Sequence, residues 1–92
     1  MNIVHVSILA AADAATPADA QLLADAIWVH DRRGSGLDHV YSRAGLRSVD
    51  VVLFVIDDDR DRAEGTARSL CELSVSASPR FSGWRVAPRH PA

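Results

Sequence analysis

The sequence predicts an α+β domain in which a four-stranded antiparallel sheet carries two helices on one face. Three observations lead there. The stretch Val49 to Ile56 is the most apolar run of the chain, and beyond Asp50 it is apolar at both parities. A strand sends successive side chains to opposite faces, so such a run belongs inside a sheet with both faces covered. Two helical patterns, opening at Thr16-Pro17 and at Asp57 to Asp59, separate apolar alternating segments. Between the second and third extended segments there is room only for the short turn Ala44-Gly45-Leu46-Arg47. That excludes a helical crossover at this point, and with it a doubly wound parallel sheet.

The first strand is expected over Asn2 to Leu9. Val4, Val6 and Ile8 make a clean apolar face, whereas Ile3, His5, Ser7 and Leu9 make a mixed one. The Ala-rich segment 10–15 connects it to a helix that starts strongly. Thr16 caps the free amides, Pro17 suits the first helical position, and Asp19 favours the positive end. This helix is expected to reach about Arg32, burying a stripe of Leu22, Leu23, Ala26, Ile27 and His30 with Val29 at its edge. Arg32 and Arg33 suit its C-terminal end, and Gly34-Ser35-Gly36 stops it.

Leu37 to Arg43 is expected as a short edge strand, with Leu37, His39 and Tyr41 on one side and Asp38, Val40 and Ser42 on the other. A hairpin leads into the apolar run. The second helix is expected from Asp57–Asp59 to about Leu73, burying Ala63, Thr66, Ala67, Leu70 and Cys71. Segment 74–79 is expected as a loop, Arg80 to Ala87 as the last strand, and 88–92 as a loose tail. A single domain therefore spans 1–87.

The element order β-α-β-β-α-β points to a split βαβ, ferredoxin-like sandwich. With right-handed crossovers the third strand lies between the first and second, giving the order 4-1-3-2 and a second sheet face left open. The topology by itself implies neither a cluster nor a function.

Composition narrows the function classes. The net charge is −2 and no basic face is evident, which argues against binding a phosphate backbone. One cysteine, Cys71, excludes an internal disulfide framework and a cysteine-based zinc site. No apolar run approaches the ~20 residues that cross a bilayer, and the N-terminus shows no basic region followed by an apolar one. The expectation is a cytoplasmic protein with neither nucleic acid nor membrane as partner, and with no cofactor or metal.

Four groups of residues carry candidate chemistry. Asp57, Asp58, Asp59 and Asp61 end the apolar run; oxygen ligands suit Mg²⁺, while helix capping is the simpler reading. The run followed by Asp57-Asp58-Asp59 resembles the nucleophile strand of haloacid-dehalogenase-like phosphatases over a few residues. Its usual Thr-bearing continuation is absent, and the chain is too short for the rest of that fold. His5 and Ser7 on the open face, with His39, Tyr41 and Arg43, form a set suited to an anionic or small apolar ligand. Val52, Phe54 and Trp84 are the apolar candidates for an interface, and Trp28 flanks the main stripe of the first helix. Cys71 sits on an apolar helical stripe and reads as a buried, inert thiol.

The leading expectation is a small binding, accessory or regulatory module. It pairs with itself or with a neighbouring subunit through the open face. The alternative is an enzyme of the dimeric α+β-barrel kind acting on a small hydrophobic molecule. That resemblance is architectural and implies His5, His39, Tyr41 and Arg43 as its working residues.

Overall fold

The computed structural model describes residues 1–12, 14–31, 34 and 36–88. Strand β1 (Asn2–Leu9) is followed by helix α1 (Pro17–His30), strands β2 (Leu37–Ala44) and β3 (Ser48–Val55), helix α2 (Arg60–Ala77), a 3₁₀ turn (Pro79–Phe81) and strand β4 (Arg85–Val86). All pairings in the four-stranded sheet are antiparallel, in the order β2-β3-β1-β4 from one edge to the other. The expected 4-1-3-2 is written from the opposite edge. The apolar run is thus interior, as its two-sided pattern required.

Local signals set the helix starts. Thr16 Oγ1 accepts the Asp19 amide at 3.2 Å, and the Asp19 carboxylate accepts the Thr16 amide at 3.0 Å. This reciprocal box satisfies amides that the first helical turn leaves free. Asp59 caps α2 by accepting the Arg62 amide at 3.0 Å. After α1, the expected basic end and the Ser35 turn residue lie outside the described residues. Gly36 has φ +95°, and its carbonyl accepts the Ile56 amide. An added Cβ there would meet the Ile56 carbonyl at 3.0 Å, so glycine is required by both conformation and space.

One core lies between sheet and helices. β1 contributes Val4, Val6 and Ile8, and β3 contributes Val49, Val51, Leu53 and Val55. Their even and odd parities meet on one face because the strands pair Val4 with Leu53 and Val6 with Val51. From α1 come Ala20, Leu23, Ala24 and Ile27, and from α2 Ala63, Ala67, Leu70, Cys71 and Val75. Ala63 and Ala67 are fully buried; side chains this small bring a helix backbone close to the sheet.

Several expectations are corrected. Leu22 and Val29 of α1 are exposed, and the stripe shifts to Ala20 and Ala24. Trp28 is 42% exposed. Thr66 is only partly buried. The second helix continues past Leu73 to Ala77, since Ser74 and Val75 extend its buried stripe. Ser74 Oγ donates to the Leu70 carbonyl at 2.7 Å, which supplies a buried hydroxyl with a partner inside the helix. Pro79 then stops it.

The last strand is two residues long rather than eight. Phe81 and Trp84 both enter the core, with ring centroids 4.9 Å apart and planes at 67°. Residues three apart on a strand point to opposite faces. Both aromatics reach the same core only because the chain turns, through the 3₁₀ segment and Gly83 at φ +83°.

Asp19 ties the two helical segments together. It is 2% exposed, and Arg80, just after α2, reaches it at 2.9 Å. Burial pushes its carboxyl up, but hydrogen bonds from the Thr16 amide and hydroxyl and the Arg80 guanidinium outweigh that and hold it below its ordinary value.

Candidate functional site

The sheet face turned away from the helices is arranged in rows across β2, β3 and β1. His39 pairs with Phe54, which pairs with Ile3; Tyr41 with Val52 and then His5; Arg43 with Asp50 and then Ser7. Directly opposed residues share a face. Two rows are therefore dominated by aromatic and aliphatic groups, and the third is polar.

A β-bulge creates this face. The register of β2 against β3 shifts between Leu37 and His39, so Asp38 is the extra residue. Uninterrupted alternation would keep Leu37, His39 and Tyr41 on one side, as the sequence suggests. The bulge instead lets Leu37 and Val40 both enter the core, and it sends His39, Tyr41 and Arg43 to the open side.

His39, Tyr41 and Phe54 form an edge-to-face cluster, with centroid separations of 4.4 Å, 5.8 Å and 6.2 Å. Such pairs are worth ~0.5–1.5 kcal/mol beyond the area they bury, so the cluster presents a preformed aromatic surface. Tyr41 is 58% exposed and Ile3 47%, while Val52 and Phe54 are half-buried beneath them. In the polar row, Ser7 Oγ donates to Asp50 Oδ1 at 2.7 Å and orients that carboxylate.

Seven of the eight candidates, His5, Ser7, His39, Tyr41, Arg43, Val52 and Phe54, thus share the open face. Trp84 does not: it is 8% exposed and packs in the core. Asp50 and Ile3 also belong to the face. Asp50 was legible as the one polar residue of the apolar run, and Ile3 as the apolar member of a mixed parity.

The arrangement is a surface and not an enclosed catalytic pocket. His5 and Tyr41 stand two strands apart with Val52 between them, about 10 Å at the backbone. A groove of about 790 Å³ runs along the β1 edge, where β4 pairs with Ile8 and Leu9 only. It is bordered by Ile3, His5 and Ser7 on β1 and by Arg60, Glu64 and Arg68 on α2. The Arg68 guanidinium also donates to the Ala87 carbonyl.

The acidic stretch is engaged locally. Arg62 bonds both oxygens of Asp57, at 2.7 Å and 3.1 Å, and the Asp59 amide donates to Asp57 at 2.9 Å. The Arg62 guanidinium, and then the Asp59 amide, hold the Asp57 carboxyl below its ordinary value. Among the described residues no group of three or more His, Cys, Asp and Glu side chains is placed to hold a metal ion. His30 Nδ1 lies 2.8 Å from the Ala26 carbonyl of its own helix. Cys71 is buried, and burial pushes its thiol up to about 12. Such a thiol is not a nucleophile near neutral pH. Among the described residues no helix is long and apolar enough to cross a membrane.

No protein-family model, curated protein or solved structure matches this chain.

Proposed function

We propose that this chain is a small, ferredoxin-like binding module that pairs with a second copy of itself through the open sheet face, in an accessory or regulatory role. The observation that carries this reading is the cluster of His39, Tyr41 and Phe54, flanked by Ile3 and Val52, on a face that no helix or strand among the described residues covers. Aromatic residues dominate interface energetics, and each buries about 150–250 Å² when covered. A second copy supplies the same apolar rows, so one patch on each subunit is sufficient for a closed pair.

The test is mass in solution across a concentration series. The expected result is a species of twice 9.9 kDa, which Phe54→Asp converts to monomer with its circular dichroism unchanged. A wild-type chain that stays monomeric up to roughly 100 μM overturns the reading, because an interface of even about −5.5 kcal/mol would pair a large fraction of it there.

A further inference from the structure

We infer that the two copies meet about a two-fold axis running along the strands between β2 and β3, which sets Arg43 of each copy against Asp50 of the other. This rests on the self-pairing reading above and specifies its register. The open face has direction: the rows of His39 and Tyr41 are aromatic and aliphatic, and the row of Arg43, Asp50 and Ser7 is charged and polar. An axis across the strands would turn the rows end for end and bury the charges against His39 and Phe54. An uncompensated charge under apolar cover is strongly unfavourable. An axis along the strands keeps apolar rows on apolar rows. It also leaves the two sheets nearly aligned, the usual geometry of face-to-face packing.

The position of that axis follows from charge. Placed on β3, it would oppose the two Asp50 carboxylates. Placed between β3 and β1, it would set Asp50 over Ser7 and leave Arg43 beyond the contact. Between β2 and β3, Arg43 faces Asp50 twice, Tyr41 faces Val52 twice, and His39 faces Phe54 twice. The residues are prepared for this. Ser7 holds Asp50 Oδ1 at 2.7 Å, and Asp50 remains exposed. Arg43 lies directly across from Asp50 on the neighbouring strand, yet among the described residues it makes no ion pair. Sheets pack about 10 Å apart, a gap that an arginine and an aspartate span together.

The experiment uses charge reversal and mixing, read by sedimentation. Arg43→Asp and Asp50→Arg are each expected to weaken the homodimer roughly tenfold to hundredfold, as like charges then face each other twice. Mixed in equal amounts, the two variants are expected to form a heterodimer of wild-type affinity, since each contact again joins opposite charges. A pair carrying the same net charge changes on exposed positions of α1, the double variant Ala18→Asp with Gln21→Glu against Asp25→Arg, is expected to leave affinity and pairing preference unchanged. Were Arg43 and Asp50 partners only within one chain, mixing would restore nothing, and that result overturns the register. It is also overturned if both single variants keep wild-type affinity while Phe54→Asp gives monomer; the self-pairing reading then survives alone. A wild-type monomer removes both. If either reversal fails to fold, Arg43→Gln and Asp50→Asn replace it. Each must then weaken the dimer several-fold and flatten its salt dependence, and an unchanged salt dependence overturns the register.

Discussion

Replacing Asp19 by Asn tests how the two helical segments are held together. Asp19 Oδ2 accepts the Thr16 amide and hydroxyl, each at 3.0 Å, and Arg80 at 2.9 Å. Arg80 Nη2 also lies 2.9 Å from Asp19 Oδ1. An Asn that keeps its carbonyl oxygen at the Oδ2 place for Thr16 therefore sets its amide NH₂ at the Oδ1 place, donor against donor with the guanidinium. A hydrogen bond to a charged group contributes about 1.5–3 kcal/mol. The Arg80 side chain is 45% exposed, so it recovers water when its partner is lost, and the cost falls below that of orphaning a fully buried charge. The expected loss is about 2 kcal/mol at neutral pH, or roughly 8–16 °C in Tm for a domain of this size. Paired urea melts of wild type and Asp19→Asn measure it, and a double-mutant cycle with Arg80→Gln isolates the coupling.

The pH dependence supplies the sign. The folded carboxyl lies below its ordinary value of 3.8, so the unfolded chain takes the proton first as pH falls. The stabilisation is fully present above the ordinary value and is lost as pH drops through the lower folded one. Wild type and Asp19→Asn should therefore differ at pH 7 and converge in acid. A difference under about 0.5 kcal/mol at pH 7, or one that stays constant throughout the acid range, would refute the assignment of Asp19 as the joint.

Two further outcomes follow from single sites. Gly65 is exposed within α2, and an added Cβ there meets nothing within 4 Å; Gly65→Ala should stabilise by about 1 kcal/mol through backbone entropy, and a lower urea midpoint would count against α2 as drawn. The Cys71 thiol, pushed up to about 12 by burial, should resist a disulfide reagent at pH 8 in the native protein and react at the rate of unfolding as urea is added; prompt labelling without denaturant would place it at the surface.

The sequence by itself determined what depends on near neighbours. The order of strands and helices, Thr16 as the first cap, a second cap within Asp57–Asp59 and the interior place of Val49 to Val55 were all legible, because capping, periodicity and turn length act within a few residues. Most of the candidate face was legible too, as polar and aromatic members of strand parities. What the sequence left open was which parity faces which way. That depends on pairing between segments far apart in the chain, and a shift of one residue exchanges the faces. The tertiary structure decided it through the bulge at Asp38, which separates Leu37 from His39 and Tyr41. It also drew Phe81 and Trp84 together into the core at the expense of the last strand. Burying two large aromatics outweighed the extended pairing that their local sequence suggests. Asp19 reads from sequence as an ordinary first-turn acid; only the fold brings Arg80, 61 positions away, to make it a buried joint.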